Sequence, residues 1–395
     1  MGTTTDPAPG ANVSALRKTR GWSQSALARR ANVSLSQLSK IEVGDRALTP
    51  AVAAALGRAF GMTMAEVLGR ASVAAADEQR LSALRSAVRD YDMPEHQSVP
   101  EGRITAGLEA ADRHRDAVDV ARLIKMLPAL LRDATTYAHT ENTSGAWSAL
   151  ADVYSTVYWL AARHRWMDMA ELAVTRQRWG VEQQPNPLGE AFAARDRAGT
   201  YLNFGAVERG LDVVDRAIAT VQAAQLSTTD RDLAVGILNL RGMTLAGRLT
   251  DKREGRREAE RHIQSAWRAA DSFDRDVDAH GLTFGPQNTF THVLATHVDL
   301  GRPRAALALT DDLDTALAGL PPTRGAPTRI NAARAQLDLG DRDGALENLS
   351  IAFDAAPQMA RIHPMGREVL RVLASLHRRS NPQLVRLSKL SGISL

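Results

Sequence analysis

The chain contains no cysteine. Disulfides and thiol-based redox sensing are excluded, and the composition suits a reducing, cytoplasmic compartment. Aromatics make up only 5% of the residues, and five of the eleven Trp and Tyr residues fall between Trp147 and Trp166. No run of 18 apolar residues occurs, so no membrane span is expected. The first residues, MGTTTDPAPGAN, are polar and lack the apolar segment of a secretory signal. Beyond residue 71, period-two alternation of β-branched residues is missing, which argues against a sheet. Catalytic constellations are missing too. There is no His-Glu-x-x-His run, no glycine-rich loop closing on Gly-Lys-Ser/Thr and no Gly-x-Ser-x-Gly elbow. His292 and His297 are five apart, the wrong spacing for two ligands on one helix face. No enzyme activity, cofactor or metal site is expected.

What remains is long enough for two or more domains, and 44% apolar content supplies packed cores. The net charge of +4 is unevenly placed: residues 1–70 carry a balance of +5 and the rest −1. A basic N-terminal segment suits contact with phosphates. Lys18 and the arginines at 20, 29, 30, 46 and 58 could supply that footprint.

Residues 13–68 hold five short helical patterns, the second and third joined by a tight turn. Ser23 is placed to cap a helix over 24–30, and Asn32 tolerates the left-handed conformation of the turn that follows. Val33 plugs the core and Ser34 caps the third helix. Leu38 and Ile41 face inward, leaving Leu35, Ser36, Gln37, Ser39 and Lys40 outward. Gly44 ends that helix. Thr49-Pro50 opens a fourth, with Leu56 and Phe60 on one face. Gly61 stops it, and Thr63 starts a fifth.

The run Ser23-Gln24-x-x-Leu27-Ala28, then Val33-Ser34, Leu38-Ser39-Lys40-Ile41-Glu42-x-Gly44 and Leu56-x-x-x-Phe60-Gly61 resembles the Cro and phage-repressor class of helix-turn-helix domains. The resemblance implies that double-stranded DNA is the ligand. It implies DNA contact by Gln24, Ser34, Leu35, Ser36, Gln37, Ser39, Lys40 and Arg46, and an ion pair between Arg17 and Glu42 bracing the first and third helices. Leu35 stands where relatives often carry a polar base reader, and suits a thymine methyl instead.

Residues 104–395 read as paired helices separated by breaks. In Ala332–Pro357 a helix ends at Leu339-Gly340. A second follows with Ala345, Leu349 and Ala352 before Pro357, which resembles a tetratricopeptide repeat. A second pair is expected around Gly301, Ala305 and Leu309, and looser pairs over 147–177, 192–221 and 233–272. Residues 281–289, GLTFGPQNT, read as a loop entering a helix. Trp147, Tyr154 and Tyr158 suit core packing, a dimer contact or the wall of a ligand pocket.

The expected architecture is therefore all-α. It comprises a disordered tail (1–11), a five-helix DNA-binding domain (12–70), a linker and linker helix (71–103) and a helical-hairpin solenoid (104–395). Such a solenoid presents a concave face lined by the first helix of each pair. Asn203, Asn239, Asn288 and Asn331, with His292 and Arg334, are candidates for gripping a peptide or small molecule there. The whole layout resembles the peptide-responsive, quorum-sensing regulators of Gram-positive bacteria. That implies a homodimeric transcription regulator whose DNA affinity follows a bound signal. The alternative is an adaptor, or an antitoxin-like autoregulator, whose repeats hold a partner protein.

Overall fold

The computed structural model describes residues 8–68, 75–376 and 381–393. Its N-terminal part consists of α1 (Pro9–Thr19), α2 (Gln24–Ala31), α3 (Leu35–Val43), α4 (Pro50–Phe60) and α5 (Met64–Leu68). The caps are local. Ser23 accepts from the Ala26 N–H, Ser34 from Gln37 and Thr49 from Val52. Asn32, Gly44 and Gly61 end their helices in the left-handed region. Thr63 and Glu66 reciprocate hydrogen bonds across the first turn of α5. Val13, Leu27, Leu38, Ile41 and Leu56 are fully buried in one core. One boundary departs from expectation. Helix α1 begins at Pro9, within the segment expected to be disordered. The Asn12 amide explains why, donating to the Glu66 and Val67 carbonyls at 2.9 Å and tying this end to α5. The rest of that tail, 1–7, lies outside the described residues, as does 71–74 of the expected linker.

The remainder opens with α6 (Ala75–Arg89), α7 (Glu101–Asp116) and α8 (Val120–Glu141). The expected linker helix, α6, does not stand apart: Leu81, Leu84 and Val88 join the core built by α8 and its followers. Three antiparallel pairs follow, α9 (Ser144–His164) with α10 (Met167–Val181), α11 (Pro187–Phe204) with α12 (Val207–Ala223), and α13 (Thr228–Ala246) with α14 (Lys252–Ala270). Trp147 and Tyr154 are buried between α8, α9 and α10, with Trp147 edge-on to Trp179 at 5.3 Å.

Next comes a two-stranded antiparallel hairpin that the alternation argument missed, β1 (Val277–Ala279) and β2 (Leu282–Phe284). Three-residue strands are too short to show a period. The signal that was present is the turn, where His280 and Gly281 both take positive φ, 52° and 65°, as a tight hairpin requires. Phe284 is fully buried and lies over Gly236, where a Cβ would collide with its ring. Asp276 accepts from the Gln287 and Asn288 N–H groups at 2.9 and 2.8 Å, which starts α15 (Pro286–Asp299).

The helix expected to pair with α15 is broken into α16 (Pro303–Leu307) and α17 (Leu313–Ala316). Asp312 begins α17 by capping Thr315. Of the residues expected to pack, Leu309 is 36% exposed, Gly301 is exposed and Ala305 is half-buried; the buried alanine is its neighbour Ala306. The clearest repeat forms as expected from α18 (Pro322–Asp338) and α19 (Arg342–Ala355), and α20 (Met359–Ile362), α21 (Pro364–Leu376) and α22 (Pro382–Ser391) complete the chain. Among the described residues no helix is long and apolar enough to cross a membrane.

The N-terminal bundle is fastened to this array. Arg58 of α4 donates to the Gly205 carbonyl at 2.8 Å and to the Thr250 hydroxyl. On its other side, the buried Leu48 N–H donates to Glu368 of α21 at 3.1 Å.

Candidate nucleic-acid interface

Helix α3 is held by its inner face and free on its outer one. Leu38 and Ile41 are fully buried, while Ser34, Leu35, Ser36 and Lys40 are exposed and Gln37 and Ser39 half so. Leu35 is 50% exposed, far more than a leucine needs unless something covers it. At the far end of the helix, Glu42 accepts from Arg17 Nε and Nη2 at 2.7 and 2.8 Å and from Gln24 Nε2 at 2.9 Å. Arg17 Nη1 reaches the Trp22 carbonyl at 2.8 Å. One carboxylate thus locks α1, α2 and α3 together. Burial pushes the Glu42 carboxyl up, but the hydrogen bonds from Arg17 and Gln24 and the Arg17 charge outweigh it and hold it below its usual range. Gln24, expected on DNA, spends its amide on this brace.

The basic residues also divide. Arg20 donates to the Phe60 carbonyl at 2.9 Å and lies over the Phe60 ring, Arg30 lies over Trp22, and Arg58 holds the repeat array. Lys18, Arg29, Lys40 and Arg46 remain exposed. The outward face therefore presents a short helix with its capped N-terminus, small polar side chains, one leucine and a rim of cations. That surface fits the groove and phosphates of a duplex.

Residues 13–67 match the family model described as Helix-turn-helix. The N-terminal unit is a helix-turn-helix domain. No curated protein matches the chain. Among solved structures it is similar to BtubC from P. vanneervenii, at 13% identity and a TM-score of 0.35, over 70% of this chain and 95% of that one. It is similar to Bacillus thuringiensis PlcR, solved with the peptide PapR7 and DNA, at 10% identity and a TM-score of 0.27, over 91% and 98%. It is also similar to PrgX in its complex with iCF10, at 9% and 0.26, over 98% of both chains.

Behind the helix-turn-helix domain, the structure disperses the residues expected to grip a ligand. Asn239 is buried, its amide given to the Val235 carbonyl and its oxygen to His262 Nδ1 at 2.8 Å. Asn288 is 1% exposed and donates to the Thr283 carbonyl, fixing the β-hairpin to α15. Arg334 is paired with Asp299 at 2.8 Å and donates to Asn331 at 2.7 Å. These groups hold the array together. The reason is chemical: an asparagine that bridges helices and one that faces a ligand read alike in sequence. Asn203, His292 and Asn331 stay partly exposed. A groove of about 420 Å³ between α11 and α12, lined by Arg197, Tyr201, Arg209 and Arg216 among others, contains none of the expected set.

Three further arginines in the first helices, Arg163, Arg195 and Arg324, were not anticipated; they share an electrostatic neighbourhood with Arg241, with Tyr158 and with the expected His292. The signal available was one arginine in the first helix of several pairs. Their separation along the chain hid it.

Proposed function

We propose that this protein is a DNA-binding transcription regulator whose grip on its operator is set by a molecule taken up by the helical array. The observation that carries the reading is α3. It is capped by Ser34, locked by the Arg17–Glu42–Gln24 brace and left bare along the Leu35, Ser36, Gln37 and Lys40 face. The concentration of positive charge in the first 70 residues supports it. Because one such helix reads only a few base pairs, the active form is a homodimer on a two-fold site. The two fastenings between the domain and the array give a bound signal a mechanical route to the DNA-reading helix.

Genomic footprinting with the full chain, followed by gel shifts on the recovered fragment, tests this. Changing Gln37 and Lys40 together to alanine is expected to weaken binding by about 1–3 kcal/mol and to flatten its salt dependence. Unchanged affinity for that fragment would remove α3 from the interface.

A further inference from the structure

Three arginines from three separate hairpins share one electrostatic neighbourhood inside the array and have no ion-pair partner among the described residues. Arg163 stands near the end of α9, Arg241 in the middle of α13 and Arg324 at the start of α18. They share neighbours. Burial lowers the proton affinity of all three and the nearby Arg195 charge adds to it, while Tyr158 lies within electrostatic reach of both Arg163 and Arg241. Gly199 leaves room for the Tyr158 hydroxyl, which a Cβ there would strike, and packs closely on the Arg241 guanidinium. The Arg163 guanidinium lies over the Trp159 ring, 3.8 Å from its centre.

The surrounding arginines obey the rule that a buried charge is paired. Arg334 and Arg248 share Asp299 at 2.8 and 3.3 Å, Arg115 has Asp112 at 3.1 Å and Arg195 has Asp196. Among the described residues, Arg163, Arg241 and Arg324 make no such bond, and the Nε atoms of Arg241 and Arg324 are buried without any acceptor. Asp116 and Asp278 face Arg324 from beyond ion-pairing reach. His292, beside Arg241 and Arg324, is held down to about 3 by burial and these cations, so it adds a neutral ring to the site. All three arginines are half-buried rather than sealed from solvent.

We propose that Arg163, Arg241 and Arg324 form a binding site for the phosphate group of a small-molecule ligand. Half-buried guanidiniums whose nearest carboxylates, Asp116 and Asp278 for Arg324 and Asp196 for Arg241, make no ion pair with them can still take up an anion. A phosphate monoester brings three acceptor oxygens and a charge near −2, and guanidinium forks match that geometry. A lone carboxylate would leave most of the charge unanswered. Casting this ligand as the signal rests on the function proposed above; the anion site does not.

The test is thermal melting of the full chain in sodium phosphate, sodium pyrophosphate or sodium citrate, against sodium chloride at equal ionic strength. Phosphate and pyrophosphate are expected to raise Tm by about 2 °C per tenfold excess over Kd. Arg163→Gln, Arg241→Gln and Arg324→Gln should each abolish that rise while melting in chloride no lower than the parent, because each removes an unpaired charge. Should a glutamine variant fold poorly, Arg241→Lys and Arg324→Lys keep the charge without the fork and should bind several-fold more weakly. A rise that survives all these substitutions, no rise at all, or a rise with citrate alone overturns the site. Gel shifts with and without pyrophosphate separate the two claims. DNA binding indifferent to pyrophosphate, with the arginine-dependent rise intact, upholds the anion site and refutes the ligand's regulatory role.

Discussion

Glutamate 42 carries more of the DNA-reading surface than its position beside α3 suggests. Its side chain is 4% exposed and takes three hydrogen bonds, two from an Arg17 whose own side chain is 11% exposed. Changing Glu42 to alanine strands a nearly buried guanidinium with only the Trp22 carbonyl. The expected cost is about 3–5 kcal/mol, typical of breaking a buried ion pair from one side. Against a domain stability of roughly 5–15 kcal/mol this frees α1 and α3 from each other well before the rest of the chain unfolds. Glutamine at 42 keeps the volume and one acceptor oxygen, so its cost should be nearer 1.5–3 kcal/mol, that of a charged hydrogen bond. Amide hydrogen exchange on the full chain resolves this locally. Residues 13–43 should lose protection in E42A, less in E42Q, while the array is unchanged. The pH dependence has a fixed sign. The Glu42 carboxyl titrates below its unfolded value, so its stabilisation is complete above about pH 4.5 and is lost as pH falls through the folded value. Protection in E42A equal to the parent, or a loss spread evenly over the array, would refute the brace.

Other consequences are open to measurement. His262 is fully buried against Asn239, and burial, with Arg261 beside it, lowers it to about 3. Its folded value lies below the unfolded one, so stability should fall by about 1.4 kcal/mol per pH unit from 6.5 downward. His292 and His363, lowered likewise, add to the slope, so a His262→Gln variant should reduce it by about that amount in urea titrations between pH 7 and 5, and a variant with the parent's slope would contradict it. Removing the Glu368 carboxyl leaves the buried Leu48 N–H without an acceptor. E368A should cost about 1–3 kcal/mol and expose residues 44–50 to hydrogen exchange, whereas E368Q keeps an acceptor for Leu48 and gives up only the ion pair with Arg371 at 3.7 Å, so it should cost less and leave protection at 44–50 nearly unchanged. Equal behaviour of the two variants would mean that this bond fastens nothing.

The helix-turn-helix domain was legible almost to the residue because its signals are short-range. Ser23, Ser34 and Thr49 cap within three residues, and Asn32, Gly44 and Gly61 mark turns by their own backbone freedom. The α18–α19 pair was legible for the same reason, closing on Gly340 and ending at Pro357. The β-hairpin was not, since its evidence was one turn rather than a pattern, and the break between α16 and α17 lies in a stretch whose alanines and leucines still keep helical spacing. The interior of the array was least legible. Residues 163, 241 and 324 belong to different hairpins, and which polar side chains find partners depends on superhelical geometry. Asn239 and Asn288 illustrate the cost: both suit a clamp by type, and both are used up holding neighbours.

The reading head is clasped at two separated stations of the coil: Arg58 grips the inter-helix turns at Gly205 and Thr250, and Leu48 hangs from α21. A strap anchored at both ends cannot ignore a change in the pitch of what it spans. Any tightening or loosening of the superhelix between those stations must either swivel the head or unbuckle one attachment, so the array's curvature and the attitude of α3 become a single mechanical variable.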